Sequence, residues 1–223
     1  MTAAYPPEPW DLTGVGHVTL WRVPVDALPP LPFSATPLAV RGTALAATAF
    51  VSYDDRGLMA YDELLAGVVV RTGRKVGISI TDIWVDSETS MLGGRALWGI
   101  PKDLATFGPL FAETATGPIA SASFSPRRGR VPVPPLLRGT TVQTRAGRTL
   151  VSPIRAGGRV RSAQATWSLD ADGPLAWVRA GRPVTSVVAE DFSMRFGSRV
   201  EVPRSDEGAE GPRNPRKPRS RLT

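Results

Sequence analysis

From His17 to Val23 polar and apolar side chains alternate, and apolar-rich stretches return at Ala44 to Ser52, Leu65 to Arg71 and Lys75 to Trp84, the last carrying Val76, Ile78, Ile80 and Ile83. Residues two apart share one face of an extended chain, so these stretches predict β-strands. Arg71-Thr72-Gly73-Arg74, between the last two, predicts a hairpin turn. Three later groups predict further turns between short alternating segments: Arg145-Ala146-Gly147-Arg148, Ala156-Gly157-Gly158-Arg159 and Asp170-Ala171-Asp172-Gly173. Turns at this frequency predict a mainly β (β-rich α+β) fold, an antiparallel sheet curled into a closed barrel or cone. Helix is confined to a few short pieces, with Val25 to Leu28 and Pro101 to Phe107 each predicted as a helical turn. The proline clusters at 29 to 32 and 131 to 135 predict rigid loops. No internal repeat or linker divides the body, so residues 1–202 are expected to form a single domain.

Composition changes this picture at one end. Residues 203–223 hold six basic and three acidic side chains among Pro, Gly and Ser without periodic apolar positions, which predicts a disordered basic tail. The tail accounts for much of the net charge of +7, and no aromatic residue stands between its arginines to stack on bases, so specific nucleic-acid binding is not expected. No uncharged stretch approaches the length of a membrane-spanning helix and the first ten residues have no leader-like pattern, so the expected place is the cytoplasm and no membrane partner is expected.

The chemistry available is restricted. With no cysteine there is no disulfide, thiolate nucleophile or cysteine-ligated metal, and the single histidine, His17, lies in a strand-like stretch. Neither a metal nor a cofactor is expected. Acid–base or covalent work falls to carboxylates, to the three tyrosines Tyr5, Tyr53 and Tyr61, and to lysine. Only three of the 27 basic residues are lysine: Lys75, Lys102 and Lys217. Lys102 sits among apolar neighbours in Gly94-Arg95-Ala96-Leu97-Trp98-Gly99-Ile100-Pro101-Lys102-Asp103-Leu104-Ala105. An amine, unlike a guanidinium, can lose its charge and attack a carbonyl, and apolar burial favours the neutral form.

Gly94 to Ala105 resembles the signature of the acetoacetate decarboxylase family, in which Gly-Arg is followed by an aromatic-containing stretch and then Pro-Lys. Gly57-Leu58-Met59-Ala60-Tyr61-Asp62-Glu63 resembles the family's Gly-Leu and Tyr-x-Glu segment, and the separation of 39 residues between Glu63 and Lys102 agrees with the family's. Leu20-Trp21-Arg22 through Asp26-Ala27-Leu28 adds a fainter similarity, so the resemblance spans about residues 15 to 110. It implies a cone-like barrel in which Lys102 forms an imine with a small β-keto acid and Glu63 positions substrate or relays protons. Tyr61, Met59, Trp98 and Ile100 are candidates for the apolar wall around the amine, and Arg95 for a substrate carboxylate. A homo-oligomer is also implied.

The sequence departs from the family pattern at Asp103, where a second lysine is usual, at Ala96, where a glutamate is common, and at Gly14, aligned with a family arginine. Asp103 is expected to point away from Lys102, because neighbours on an extended segment face opposite sides. The first reading is a Schiff-base lyase that decarboxylates acetoacetate or a related β-keto acid. The second is an imine-dependent aldolase or dehydratase acting on keto acids without decarboxylation. The third is a non-catalytic binding protein of the same fold.

Overall fold

A computed structural model describes residues 5–127 and 131–202. Its strands are β1 (Trp10–Pro24), β2 (Thr36–Pro37), β3 (Ala39–Val40), β4 (Thr43–Tyr53), β5 (Tyr61–Thr72) and β6 (Lys75–Val85), followed by helix α1 (Glu88–Trp98). Then come β7 (Lys102–Leu104), β8 (Thr106–Gly108), β9 (Phe111–Thr114), β10 (Gly117–Pro126), β11 (Val131–Arg145) and β12 (Arg148–Leu169). The short helix α2 (Ala176–Arg179), β13 (Arg182–Phe196) and β14 (Val200–Val202) complete the described chain. The fold is mainly β, as expected, and the described residues form one sheet-based body. The basic tail, 203–223, lies outside the described residues.

The sheet runs β11-β6-β5-β4-β1-β13-β12, and a further pairing between β12 and β11 closes it into a ring. Every ring pairing is antiparallel except β6 with β11, which is parallel. The long β12 also serves a second layer: its first part pairs with β11, and its last part carries β10, beyond which lie β9 and β8. Alternation along each ring strand therefore divides two apolar faces. Tyr61 and Ile80 join Trp10, Leu12, Trp98 and Phe196 in a cluster on the inner face. Leu64 and Ala66 of β5 pack instead with Ala112, Ile119 and Val178 of the second layer. Fully burying a side chain such as Leu64 contributes about 1.5–3 kcal/mol, so both faces hold the ring.

Several expectations are met. β5 and β6 turn at Gly73, and β11 and β12 at Ala146-Gly147, where both residues take positive φ, the backbone a two-residue hairpin requires. Others are corrected. Ala156-Gly157-Gly158-Arg159 is not a turn but lies within β12, where the pairing with β13 shifts register between Gly157 and Arg159. The extra residue is on β13, where Asp191 takes positive φ, and Gly158 stands opposite this bulge because a Cβ there would meet the Phe192 backbone at 2.8 Å. Asp170 to Gly173 leads into α2 instead of a tight hairpin. The prolines from 131 to 135 belong to β11, which loses register between Val133 and Leu137, a place where residues without an N–H do least damage to the ladder. Val25–Ala27 is one turn of 3-10 helix, but Pro101 to Phe107 supplies β7 and the start of β8.

Candidate active site

β5 carries the first half of the site. Its alternation sends Tyr61, Glu63 and Leu65 toward the interior of the ring and Leu64 into the second layer, so Glu63 is buried despite its charge. The other half depends on α1, which the periodicity does not announce. Ser87 caps its N-terminus, accepting from the Ser90 N–H at 3.2 Å, and Glu88 stands favourably in the first turn. Gly99, left-handed at φ 65°, ends it, and the N–H groups of Gly99 and Ile100 return to the carbonyls of Arg95 and Gly94. The chain then enters β7 alongside β6, with Lys102 opposite Ile83. Gly94 explains why the lysine can turn inward under the helix: a Cβ there would stand 2.7 Å from Lys102 Cδ. The Gly-Arg of the sequence motif is thus, in part, space for the lysine stem.

Lys102 Nζ donates to Glu63 Oε2 at 2.7 Å, to Ser90 Oγ at 2.9 Å and to Tyr61 OH at 3.4 Å. An ammonium has three donors, and all three are engaged. Tyr53 OH donates to the other Glu63 oxygen at 3.2 Å, and its ring lies 4.5 Å from that of Tyr61, the residue directly across the β4–β5 ladder. Burial pushes the Lys102 amine down, but the Glu63 carboxylate and Tyr61 outweigh it and the amine is held above the ordinary lysine value. The apolar wall that favours the neutral amine is present, and so is a counter-charge at hydrogen-bond distance that favours the ammonium. Burial, with the nearby Glu63 charge, pushes the Tyr53 phenol well up. Burial likewise raises Tyr61 to about 12, against the pull of the Lys102 charge.

The pair lies in the wall of a cavity of about 450 Å³ inside the ring. Trp10, Leu65, Ile80, Ile154, Phe192 and Met194 are among its lining residues, contributed by β1, β5, β6, β12 and β13. A buried carboxylate and amine facing such a space can exchange a proton and can present a nucleophile to a carbonyl carbon. Among the described residues, no group of three or more histidine, cysteine, aspartate or glutamate side chains is gathered in a way that could hold a metal ion.

Of the residues singled out from sequence, Lys102, Glu63, Tyr61, Trp98 and Ile100 all line this cavity. Met59 does not line it and packs against the apolar cluster that forms much of its wall. Arg95 is not brought there either. It lies on the exposed side of α1, donates to the Lys102 carbonyl and stands 3.4 Å from Asp103. The guanidinium thereby braces the backbone of the lysine from outside. Asp103 points outward as expected, its side chain 68% exposed. His17 packs edge-on against Phe124, away from the cavity, and burial lowers its pKa. Ser90 and Tyr53 were missed. Ser90 precedes Gly94 by one helical turn and so shares its face, a signal available once Glu88–Trp98 is recognised as helix. Tyr53 would follow from the register of β4 against β5.

The family model described as acetoacetate decarboxylase matches residues 2–110. No curated protein sequence matches the chain. Among solved structures, acetoacetate decarboxylase from Legionella pneumophila subsp. pneumophila str. Philadelphia 1 is similar at 16% identity and a TM-score of 0.69, covering 91% of this chain and 92% of that one. The enduracididine biosynthesis enzyme MppR, complexed with pyruvate, is similar at 18% identity and a TM-score of 0.64, covering 90% and 92%. An acetoacetate decarboxylase-like enzyme from Sphingomonas wittichii RW1 follows at 14% identity and a TM-score of 0.63, covering 89% and 94%. At these identities the likeness is one of fold.

Proposed function

We propose that this acetoacetate decarboxylase-like protein is an imine-forming enzyme that uses Lys102 as nucleophile and Glu63 as its proton partner. The observation that carries the proposal is the 2.7 Å contact between a buried amine and a buried carboxylate in the wall of an apolar cavity. Glu63 takes a proton from the resting ammonium, and the freed amine attacks the substrate carbonyl carbon while the carbonyl oxygen is protonated. Loss of that oxygen as water leaves an iminium, with its positive charge again beside Glu63. Ser90 and Tyr61 hold the resting Nζ in place for the attack, and Tyr53 holds the second carboxylate oxygen.

The iminium withdraws the electron pair of a neighbouring bond. With a β-keto acid, the bond to the carboxylate breaks, carbon dioxide leaves and an enamine remains. With any carbonyl compound bearing a hydrogen on the adjacent carbon, Glu63 removes that proton and the same kind of enamine forms with every carbon retained. The enamine then takes up a proton, or its carbon attacks a second carbonyl compound and forms a carbon–carbon bond. Hydrolysis returns Lys102 in each case.

The test is reductive trapping. The protein is incubated with acetoacetate, pyruvate or 2-octanone, reduced with borohydride, and its peptides mapped by mass spectrometry. An adduct on Lys102 is expected. No adduct on that residue with any of the three would overturn the proposal, and carbon dioxide release from acetoacetate separates the two fates of the iminium.

A further inference from the structure

We infer that the carbonyl compound taken by this cavity is uncharged and apolar, a ketone or aldehyde with a hydrocarbon body, and not a short keto acid. The inference rests on the imine reading of Lys102 and adds the class of substrate delivered to it. Size is the first argument. The cavity of about 450 Å³ has room for roughly fifteen waters at the ~30 Å³ each occupies in the liquid, well beyond the few heavy atoms of pyruvate or acetoacetate.

The wall is the second argument. Beyond Glu63, Lys102 and the hydroxyls of Tyr53 and Tyr61, the described lining residues are aliphatic, aromatic, methionine or glycine. Even the two indole N–H groups in the wall are engaged elsewhere, Trp10 with the Pro6 carbonyl at 3.0 Å and Trp98 with Glu8 at 2.9 Å. Such a wall rewards hydrocarbon and offers a polar substituent no partner away from the amine.

Charge is the third. Lys102 is the one cation among the described lining residues, and its three donors are already engaged by Glu63, Ser90 and Tyr61. A substrate carboxylate would lose its water, meet no second cation and lie in the same cavity as Glu63, two anions sharing one positive charge. A neutral carbonyl leaves the Glu63–iminium pair balanced. The chemistry that follows is then removal of the adjacent proton by Glu63, with the C–H electron pair forming the enamine double bond and no carbon lost.

The experiment reads binding and chemistry separately. Trp10 and Trp98 line the cavity, so a ligand entering it changes tryptophan emission. Titration with 2-butanone, 2-hexanone and 2-octanone, in the wild type and in Lys102→Met, should show half-saturation falling about fourfold for each added methylene. Trapping on Lys102 should require at least tenfold less 2-octanone than pyruvate or acetoacetate. A flat ketone series in both proteins overturns the inference, as does trapping of either acid at the lower concentration. In the second case Lys102 is still labelled, so the imine reading survives. A steep series with no adduct on Lys102 leaves the apolar ligand class standing and removes the imine chemistry.

Discussion

Two groups of ion pairs in this molecule have nearly the same geometry and opposite surroundings. Lys102 and Glu63 meet at 2.7 Å with side chains 5% and 4% exposed. On the surface, Arg56 bridges Asp54 and Asp191 at 2.6 Å each, and Arg159 adds a contact to Asp191 at 3.0 Å. The surface side chains are 35% to 57% exposed. Water and salt screen the surface charges, and either partner can be lost with water taking its place. Inside the ring neither partner has that alternative. A contact distance therefore says little about what an ion pair does; the medium around it decides whether the pair is decoration or a site where a proton can be placed.

The sharpest way to break this contrast is to remove the amine while keeping its charge. Lys102→Arg should abolish borohydride trapping and turnover, by about a thousandfold or more, with the far-ultraviolet circular dichroism unchanged. Full activity in that variant would end every imine mechanism for this chain. Next in size is the loss of the counter-charge. Glu63→Gln leaves a buried ammonium without its anion, and chemical denaturation should show a loss of about 3–5 kcal/mol. The same variant should shift the pH profile of trapping downward, because burial, which lowers the amine, remains after the carboxylate that raised it has gone. The double variant Glu63→Leu/Lys102→Met should recover most of the lost stability, since an apolar pair of similar volume suits the cavity wall. If it is no more stable than Glu63→Gln, the pair is held for structure as well as chemistry.

The two groups should also fail at opposite ends of the pH scale. Lys102 is raised in the folded protein, so its stabilisation is complete below the ordinary lysine value of 10.5 and is lost as pH rises through the higher folded value. Tyr61 acts in the same sense, losing its contribution between 10.0 and about 12, because the unfolded chain gives up that proton first. Asp54, lowered from 3.8 to about 2 chiefly by its bonds from Arg56 and Thr13, contributes above the ordinary carboxylate value and loses that contribution as pH falls. Melting temperatures across the alkaline range should therefore fall less steeply in Glu63→Leu/Lys102→Met than in the wild type. An identical slope would mean that the buried pair does not couple to folding. The smallest effect is expected from Asp54→Asn: trapping unchanged, and a slight fall in melting temperature that vanishes in high salt. A change in trapping would tie the surface group to the cavity after all.

How much of this was legible depended on the kind of signal each residue leaves. Lys102 was found because an amine rarely tolerates apolar neighbours without a purpose, and Glu63 and Tyr61 because their segment and its separation from Lys102 resemble a family pattern. Ser90 and Tyr53 leave no such mark: a serine in a helix and a tyrosine at the end of a strand are ordinary until a register brings them to the same charge. Arg95 misleads for the opposite reason. It stands in the motif, yet the helix turns its side chain outward, where it holds the Lys102 carbonyl and meets Asp103. Gly157 and Gly158 read as a turn because glycine permits chain reversal and close backbone approach alike, and only the pairing of β12 with the bulged β13 chose the second at Gly158.

The pairing of Lys102 with Glu63 was implied by the family resemblance, whereas local spacing was enough to determine the β-rich class, the hairpins at Gly73 and Gly147, and a scarce lysine among apolar neighbours. Those features depend on two-residue periodicity, on positive φ, or on the chemistry of a side chain in its own neighbourhood. The cavity was decided by the tertiary structure alone. Its wall joins Leu12, Leu65, Ile80, Ile154 and Phe192, residues far apart in the chain that become neighbours because β11 closes the ring against both β6 and β12. The environment of Lys102 belongs to the same closure: how much water the amine loses, and which charge replaces that water, are properties of the closed ring and not of any segment within it.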